Sequence, residues 1–526
     1  MKIAMSKKRK SSRQPRKGIL SGILCTILMF VGFLCCFAAR WYLFTCGDQS
    51  FNAMLFTLFS GISGTDQQIL ESFILGPLLL ALCCTAFLAA LFCQRSRFHL
   101  IVGFLRHEVT ISPISHGVYC WICVILFLAL LIPAEEAVGL REWISNAKNA
   151  STLFDTEYID PAQTRIAFPQ KKRNLIYLYL ESMETTFCSK EQGGSMEKCV
   201  IPELYALAQE NTSFSDSDKI GGWGAITGTT WTTAGMISQS GGIPLLLPFG
   251  ANSADTTSRP LQNATLLWDI LKEEGYYQAV IMGSDPHFSG QEAIFPAHGI
   301  DDIFDYNSAM RDGIIPEGYG VFWGMEDSNL YAYARKVLTE ISQNDQPFQV
   351  CITTIDTHFP DGYICEACKD DYSEPYENVY ACASRQAYAF VQWLKEQPFY
   401  EDTTIVICGD HLSMAGDYLR RNNLEDARRR VYNCILNAAV STENTNGRGI
   451  TPFDMFPTTL AAMGCQIEGD RLGLGVNLFS DQPTLAERIG MDALNEELDR
   501  STIPYLLRFL MQPESGDTLR SWLGIA

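Results

Sequence analysis

The stretch TIVICGDHLSM, residues 404–414, contains an apolar run that ends in a carboxylate and an imidazole, Asp410 and His411. The run is rich in β-branched residues, too short for a helix and closed by a glycine, so it predicts a buried strand. Both polar side chains are common metal ligands, and here they would follow a rigid element. The alternative is ordinary loop polarity after a strand.

Three further predicted strands also end in groups that can do chemistry. In chain order these groups are Glu181 after LIYLYLES, His287 after AVIMGSDPH, and Asp356 with His358 after VCITTID. Ligands of an open parallel sheet bind at the carboxyl ends of its strands, so these side chains would meet at one edge. Loop polarity and helix capping explain any single strand end, but four such ends together favour a site.

The best metal-binding set at that edge combines two carboxylates with one imidazole. Glu181, Asp410 and His411 form this oxygen, oxygen and nitrogen set, which suits Mn²⁺, Mg²⁺ or Zn²⁺. Three protein ligands leave a position for a nucleophile or a substrate. We therefore expect a divalent-metal cofactor, with Mn²⁺ preferred.

A nucleophile for such a site is predicted in GGWGAITGTTWTTAGMISQSGGIPL, residues 221–245. The segment is rich in Gly and Thr and then turns apolar, which places Thr229 or Thr230 near the start of a helix. Free N–H groups and the helix dipole favour a phosphate there, and a metal would activate the hydroxyl. Without the metal ligands, a helix-capping threonine would be the better interpretation.

The part of the chain from about residue 174 onward alternates strands with helices. The predicted strands are NLIYLYLES, YQAVIMGS, FQVCITTID, TIVICGD and VYNCILN, and the predicted helices are IPELYALAQEN, ATLLWDILKEEG, SNLYAYARKVLTEIS, YENVYACASRQAYAFVQWLKEQ and FDMFPTTLAAMG. Strands separated by helices predict a doubly wound α/β domain with a mostly parallel sheet.

The first 134 residues have the composition of a membrane region. Segments 19–39, 73–93 and 117–133 are apolar, and about 20 residues cross a bilayer. The basic tail 1–17 has eight Lys and Arg and no acidic residue, which predicts a cytoplasmic N-terminus and an extracytoplasmic remainder. We expect a stalk at 135–170, a catalytic domain at 171–490 and a helical tail at 491–526.

Charge and cysteine content limit the partners and the chemistry. Outside the basic tail the chain is even more acidic than its formal net charge of −19, so this part gives no basic surface for nucleic acid. An outer compartment permits disulfides, and we expect one between Cys188 and Cys199. The sequence CEAC at 365–368 could be half a zinc site, but no second pair follows at suitable spacing, so a disulfide or free thiols are favoured.

Several motifs together resemble a known family. LIYLYLESMETTF, GTTWTTAGMISQSGGIPL, WGMEDSNL, TTIDTHFPDGY, GDHLSM and RLGLGVNLF, in this order, are similar to the phosphoglycerol transferases of the alkaline phosphatase/sulfatase superfamily. The resemblance covers roughly residues 170–480. It is greatest to the glucan-decorating membrane enzymes and next to the lipoteichoic acid synthases. It implies a bacterial multi-pass membrane protein with an extracytoplasmic catalytic domain.

The resemblance implies a covalent threonine mechanism. The threonine attacks phosphatidylglycerol, diacylglycerol leaves, and an envelope glycan or polyglycerolphosphate hydroxyl accepts the glycerophosphate. Carried over by motif, the metal ligands are Glu181, Asp410, His411 and the threonine, for which Thr229 matches better than Thr230. The implied substrate-binding residues are His358, which can also transfer protons, together with Asp356, Trp323, His287 and Gln291. Gln291 stands where the glucan-decorating relatives carry a basic residue.

Other functions remain open to different degrees. A sulfatase needs Cys-x-Pro-x-Arg or Ser-x-Pro-x-Arg, and neither string occurs in the chain. A phosphoethanolamine transferase would use the same kind of threonine nucleophile and metal site. Those enzymes have cysteines that flank the threonine, and the threonine here has no neighbouring cysteine. A phosphodiesterase with water as acceptor is also compatible with the sequence. A non-enzymatic envelope sensor that has lost its chemistry is the alternative from another class.

Overall fold

The apolar N-terminal segments and the alternating segments that follow fold into separate units. The computed structural model describes residues 2–5, 16–46, 67–94, 98–104, 107–111, 116–246, 260–287 and 290–510. One unit comprises Met1–Phe44 with Gln67–Arg141, and the other comprises Thr45–Asp66 with Glu142–Ala526. The middle of the basic tail, the loop 47–66 and the end of the predicted C-terminal tail therefore lie outside the described residues.

The first unit contains three long apolar helices. They are Arg16–Cys46, then Gln67–Phe73 continuing through the π-helical turn Ile74–Leu78 into Leu79–Gln94, and His116–Val138. Three stretches of the described residues are long and apolar enough to cross a membrane: Leu20–Thr45, Gln67–Cys93 and Gly117–Val138. They cover the three segments that the sequence predicts as spans. The strands β1 Lys2–Met5, β2 Phe98–Phe104 and β3 His107–Ile111 form a small antiparallel sheet.

The apolar helices present much of their side-chain surface outward. Leu75 and Trp121, for example, are 67% and 69% exposed. Helices that are apolar on all sides are typical of membrane spans, because lipid can cover the outward side chains. Cys25, Met29 and Cys123 pack together inside this unit, so two of the apolar-segment cysteines act as small hydrophobic residues.

The second unit is built on a six-stranded sheet in the order β10-β9-β5-β8-β6-β7. Its strands are β5 Asn174–Leu180, β6 Tyr277–Met282, β7 Asp302–Phe304, β8 Phe348–Thr353, β9 Thr403–Gly409 and β10 Asn433–Leu436. All neighbours are parallel except β10, which pairs antiparallel with β9 at one edge. The predicted doubly wound, mostly parallel α/β fold is confirmed, and β7 is a strand that the sequence did not predict.

Helices cover both faces of this sheet, which explains why its strands are continuous apolar runs. The five helices that the sequence predicts between its strands are all present. The helices are Leu140–Lys148, Leu153–Thr156, Pro202–Glu210, Thr232–Gly241, Leu267–Glu273, Gln291–Ala297, Tyr306–Arg311, Asp327–Ile341, Pro375–Lys395, Gly416–Arg421, Met455–Ala462, Leu485–Ile489, Met491–Asp499 and Thr502–Tyr505. We call Thr232–Gly241 the threonine helix and Pro375–Lys395 the long helix.

The ends of the second unit pack on each other. Leu153 and Phe154 are buried in the main core, where the Phe154 ring lies 5.3 Å from the Phe509 ring. Ser151 N–H donates to the Arg500 carbonyl oxygen at 3.0 Å. The segment from Ser151 onward, which the sequence assigned to a linker, is therefore part of this core, together with the described part, residues 491–510, of the segment predicted as a C-terminal tail.

Short elements complete the second unit. The strand β4 Ile166–Ala167 pairs with β11 Gln466–Ile467, and β12 Arg471–Leu472 pairs with β13 Gly475–Val476. Single 3₁₀ turns lie at Pro161–Gln163, Thr185–Phe187, Tyr400–Asp402, Pro452–Asp454 and Glu468–Asp470, and a π-helical turn lies at Leu506–Leu510.

Candidate active site

The two central strands deliver the predicted metal ligands to one point. Leu180 and Gly409 are paired as the last residues of the parallel strands β5 and β9. Glu181 and Asp410 are the next residues of their strands, so both leave the sheet side by side. Within the described residues, Glu181, Asp410 and His411 offer ligand atoms that all lie within 4.8 Å of one another. Each residue is 1% exposed, so the cluster is buried.

Hydrogen bonds with backbone groups orient the side chains of Asp410 and His411. The His411 Nδ1–H donates to the Leu412 carbonyl oxygen at 2.8 Å. The Asp410 Oδ1 accepts N–H bonds from Ser182 and His411, each at 2.8 Å. These bonds leave His411 Nε2 and Asp410 Oδ2 facing each other at 3.4 Å, with Glu181 Oε1 at 3.6 Å from the same nitrogen. A second set of partners that holds each ligand this way is characteristic of metal sites.

The chemistry of the cluster fits a divalent cation. Asp410 Oδ2 is buried and has no hydrogen-bond partner among the described residues. Burial raises the pKa of Asp410 to about 7, and the negative charge of Glu181 adds to the rise. A positive ion between the two carboxylates and the imidazole would remove this repulsion and satisfy the orphaned oxygen. The set of two oxygens and one nitrogen is compatible with Mn²⁺, Mg²⁺ or Zn²⁺.

The hydroxyl that reaches this cluster belongs to Thr232, which the sequence analysis did not single out. Its Oγ1 donates to Glu181 Oε2 at 3.2 Å and lies 3.4 Å from His411 Nε2. Thr232 is the first residue of the threonine helix, where free N–H groups and the helix dipole favour an anion. The sequence analysis placed the start of this helix near Thr229 or Thr230, two to three residues before its observed first residue.

The two threonines named by the sequence analysis occupy the loop before this helix. Thr229 is 5% exposed, and its hydroxyl donates to the Ile226 carbonyl oxygen at 2.9 Å. That bond closes a local turn and does not reach the metal-ligand cluster. The expected placement of Thr229 as fourth ligand therefore differs from the observed geometry, and the role of Thr230 stays a prediction.

The threonine helix packs closely against the backbone of Asp410, one of the predicted metal ligands. A Cβ atom on Gly235 would lie 2.2 Å from the Asp410 carbonyl oxygen, so only glycine permits this approach. One turn later, Gln239 Nε2 donates to the carbonyl oxygens of Gly409 and Asp410 at 3.1 and 3.3 Å. These contacts fix the distance between Thr232 and the cluster.

His358 and Trp323 are brought together, as the sequence analysis grouped them. Their ring centroids lie 4.4 Å apart, and both residues are buried. The His358 Nδ1–H donates to the Phe359 carbonyl oxygen at 3.0 Å. The preceding residue, Thr357, donates its hydroxyl hydrogen to the Glu181 carbonyl oxygen, so the loop with His358 is tied directly to the metal-ligand strand.

Asp356 occupies a different position from the one expected for a substrate-binding residue. It is 3% exposed, and its carboxylate accepts the N–H of Asp327, the first residue of the helix Asp327–Ile341, at 3.1 Å. Asp327 in turn accepts the N–H groups of Ile355 and Asp356 at 2.7 and 3.3 Å. Burial, followed by mutual repulsion, raises the pKa of Asp356. The pair is a structural cap that the sequence pattern could not distinguish from a site.

The remaining two predicted substrate-binding residues lie near the start of the helix Gln291–Ala297. Gln291 is 5% exposed, and its side-chain amide donates to Thr233 Oγ1 at 3.1 Å, which supports the threonine helix next to Thr232. His287 is 56% exposed and lies between two carboxylates, 2.6 Å from Asp285 and 3.0 Å from Glu292. Residues 288–289 are outside the described residues.

The structure adds a buried ion pair that the sequence analysis missed. Glu184 is fully buried, and its carboxylate accepts two hydrogen bonds from the Arg429 guanidinium and one from the Ser413 N–H at 3.0 Å. Arg429 also donates to the Ser413 carbonyl oxygen at 2.7 Å. The pair joins the loop after Glu181 to the loop after His411. A lone Glu and a distant Arg carry no sequence pattern that would have linked them.

The fold and the site define a class, and sequence comparison defines the family. The sheet and its flanking helices form an alkaline phosphatase-like α/β fold, with two carboxylates, an imidazole and a helix-start threonine at the carboxyl edge. A sulfatase family model matches residues 173–465, more than half of the chain, and the chain therefore belongs to the sulfatase family.

Individual relatives agree with this assignment. Phosphoglycerol transferase I of Escherichia coli (strain 55989 / EAEC) is 30% identical over 444 residues, which cover 83% of this chain and 54% of the relative. The chain thus spans about half the length of the curated relatives it matches.

Solved structures are also similar to the chain. The lipoteichoic acid synthase LtaP from Listeria monocytogenes is 18% identical with a TM-score of 0.46, and the match covers 72% of this chain and 98% of that chain. The phosphoethanolamine transferase EptA from Neisseria meningitidis is 11% identical with a TM-score of 0.49, covering 85% and 84%.

Proposed function

We propose that this chain is a membrane-anchored, metal-dependent phosphoglycerol transferase. It would move glycerophosphate from phosphatidylglycerol through a covalent phosphothreonine to a hydroxyl of an envelope glycan or of polyglycerolphosphate. The observation that carries the proposal is the contact of the Thr232 hydroxyl with Glu181 and His411, at 3.2 and 3.4 Å. The name of the Escherichia coli relative, phosphoglycerol transferase I, supports phosphoglycerol as the transferred group.

Thr232 is the proposed nucleophile in place of Thr229 and Thr230. In the first half-reaction, its Oγ1 bonds to phosphorus, the bond from phosphorus to the diacylglycerol oxygen breaks, and diacylglycerol leaves with a proton. In the second, an acceptor hydroxyl bonds to phosphorus, the bond to Thr232 breaks, and the threonine regains its proton. Each half-reaction conserves the phosphate diester, so no oxidant, reductant or nucleotide is needed.

Glu181, Asp410 and His411 would hold the divalent ion, and Thr232 would complete the set. Bound there, a Mn²⁺, Mg²⁺ or Zn²⁺ ion would lower the pKa of the threonine hydroxyl and offset negative charge on the phosphate. Mn²⁺ stays our preferred ion on the oxygen-rich ligand set. The free N–H groups at the start of the threonine helix would bind a non-bridging phosphate oxygen.

His358 is the proposed proton carrier and headgroup contact. Its Nδ1–H is held by the Phe359 carbonyl oxygen at 3.0 Å, and we assign Nε2 to proton exchange with the leaving or entering oxygen. Trp323 packs against the ring at 4.4 Å and would fix its orientation and limit water access. We assign the glycerol headgroup to this side of the metal cluster.

The membrane region would keep the catalytic domain near its lipid donor. Three helices of the first unit are long and apolar enough to cross a bilayer. The basic residues 2–17 favour a cytoplasmic N-terminus, and an odd number of spans then leads to an extracytoplasmic domain. Both donor and acceptor classes would be available there.

The decisive experiment measures the covalent intermediate. The full-length protein in phosphatidylglycerol-containing vesicles with Mn²⁺ is quenched in acid, and its peptides are mapped by mass spectrometry. A glycerophosphate adduct on Thr232 is expected, and Thr232→Val should lose it while Thr229→Val keeps it. An adduct on Thr229 or Thr230 would contradict the choice of nucleophile. No adduct, with metal bound and the fold intact, would contradict the donor, and phosphatidylethanolamine would be tested next.

A further inference from the structure

Three cysteines meet at a place separate from the metal-ligand cluster of the active site. Cys365 and Cys368 lie in the loop that follows β8 and His358, and Cys382 lies in the long helix. Their sulfur atoms all lie within 4.8 Å of one another. Cys365 and Cys382 are 6% and 2% exposed, and Cys368 is half-buried. We call these three residues the thiol cluster.

Two of the sulfur–sulfur distances have the values expected around a tetrahedral metal ion. Cys365 Sγ lies 3.7 Å from Cys368 Sγ and 3.8 Å from Cys382 Sγ. With metal–sulfur bonds of about 2.3 Å, as for zinc, the edge of a tetrahedron of thiolates is about 3.8 Å long. Two of the three sulfur–sulfur distances therefore match the edges of such a tetrahedron, and the sulfurs of the third pair, Cys368 and Cys382, lie within 4.8 Å of each other.

A disulfide would account for only two of the three cysteines in the thiol cluster. A disulfide bond needs a sulfur–sulfur distance of about 2.05 Å, and pairing any two of the three leaves an odd thiol. The sequence analysis favoured a disulfide or free thiols because CEAC had no second pair nearby. The long helix supplies the third ligand 14 residues after Cys368, and one further position is left for water or another small ligand.

Neighbours on the long helix suit a negatively charged thiolate centre. Arg385 and Gln386 follow Cys382 at the spacings that place side chains on the same helix face. Gln386 Nε2 donates toward Cys382 Sγ at 3.3 Å and Cys365 Sγ at 3.8 Å. Arg385 carries a buried nitrogen, Nη2, that has no hydrogen-bond partner among the residues that the structure describes. Such N–H groups and a cation stabilise thiolates bound to a metal.

We propose that Cys365, Cys368 and Cys382 bind a second metal ion, a soft divalent cation of the zinc class, as three thiolates. This ion fixes the loop that carries His358 to the long helix. Within that loop, the Gly362 N–H donates to the His358 carbonyl oxygen and the Tyr363 N–H donates to the Asp356 carbonyl oxygen, at 3.0 and 2.7 Å. The proposal does not rest on the reaction that the enzyme carries out.

The test uses the full-length protein, purified under reducing conditions and given Co²⁺ alone or Zn²⁺ alone. Cobalt should produce a thiolate-to-metal charge-transfer band, and Zn²⁺ should slow alkylation of all three cysteines by about tenfold or more. His411→Ala removes an active-site ligand and should keep the band. Cys368→Ser should lose it, whereas Cys199→Ser, a matched half-buried cysteine, should keep it.

Each other outcome overturns the proposal. A peptide that links two of the three cysteines in protein purified without reductant, with no metal bound after reduction, would establish a disulfide. Full-rate alkylation of the three cysteines in the presence of Zn²⁺ would establish free thiols. If Cys368→Ser fails to fold, the metal protection of the wild-type thiols still decides between these results.

Discussion

The hydroxyl of Thr232 lies 3.2 Å from a carboxylate oxygen of Glu181, although the two residues are 51 positions apart in the chain. One residue begins a helix and the other follows the central strand of the sheet. Their contact joins the two parts of the proposed chemistry, a nucleophile and a metal site. The predictions below test what maintains this relationship and what depends on it.

Removing the Thr232 hydroxyl should abolish transfer. Thr232→Val keeps the shape of the side chain but has no atom to bond to phosphorus, so activity toward phosphatidylglycerol should fall by about a thousandfold or more. The Thr229 hydroxyl donates to the Ile226 carbonyl oxygen at 2.9 Å and not to the predicted metal ligands, so Thr229→Val should lower activity by less than about tenfold. Release of diacylglycerol from labelled lipid measures both variants, and the reverse order would support Thr229 as nucleophile.

Gly235→Ala should move the threonine helix away from the metal ligands. The added Cβ would lie 2.2 Å from the Asp410 carbonyl oxygen, and overpacking of this kind costs about 1–3 kcal/mol of folding free energy. A shift of about 1 Å in the nucleophile can lower the rate by about a hundredfold. Turnover and the unfolding midpoint should therefore both decrease.

Gly241→Ala is the matched control on the same helix. Its Cβ would meet Leu266 Cδ2 at 2.4 Å, which is the tip of a side chain that can rotate away, and not a backbone atom. We expect a loss of stability with near-normal turnover of the folded protein. Equal turnover of the two variants would contradict the positioning role of Gly235.

His411→Ala should remove the active-site metal with little damage to the fold. His411 follows β9 and does not belong to it, while the strand keeps its own pairing with β5. A ligand present at 100 times its dissociation constant stabilises a protein by about 2.7 kcal/mol. Mn²⁺ should therefore raise the unfolding temperature of the wild type and not of the variant. A variant that retains the full metal-induced shift would contradict the ligand assignment.

The Asp327–Asp356 pair should make stability decrease as pH rises. Burial raises the pKa of both carboxyl groups in the folded protein above the unfolded value of about 4, and repulsion from Asp327 adds to the rise for Asp356. The folded state then holds more protons than the unfolded state above that pH. The contribution of these two groups to the free energy of unfolding is therefore fully present below about pH 4. It is lost as pH rises through the raised pKa values of the folded state.

Asp356→Asn should flatten this pH dependence. The amide oxygen can still accept the Asp327 N–H, and the neutral side chain removes the titration at 356. Unfolding midpoints of the two proteins between pH 4 and 8 measure the effect, which is about 1.4 kcal/mol per pH unit for each proton that differs. Parallel curves would contradict the raised pKa values.

Much of the fold could be predicted from the sequence because its signals are local. β5, β6, β8 and β9 are apolar runs bounded by turn residues, and the long helix has an amphipathic pattern, so each is visible in a short window. Glu181, Asp410 and His411 followed from the same windows, since the rule for parallel sheets places strand ends at one edge. Glu184 and Arg429 are 245 positions apart, so no short segment of sequence contains both residues and their pairing could not be predicted.

The sequence by itself therefore determined the α/β class, the apolar N-terminal helices and the strand ends that carry the proposed ligands. Only the tertiary structure decided which hydroxyl of GTTWTT meets Glu181, because that choice depends on where the helix starts and on the contact of Gly235 with Asp410. It also directed Asp356 into a helix cap and brought Cys382 to Cys365. Residue type and spacing fix which chemistry is available, whereas packing between distant segments fixes which side chains come close enough to perform it.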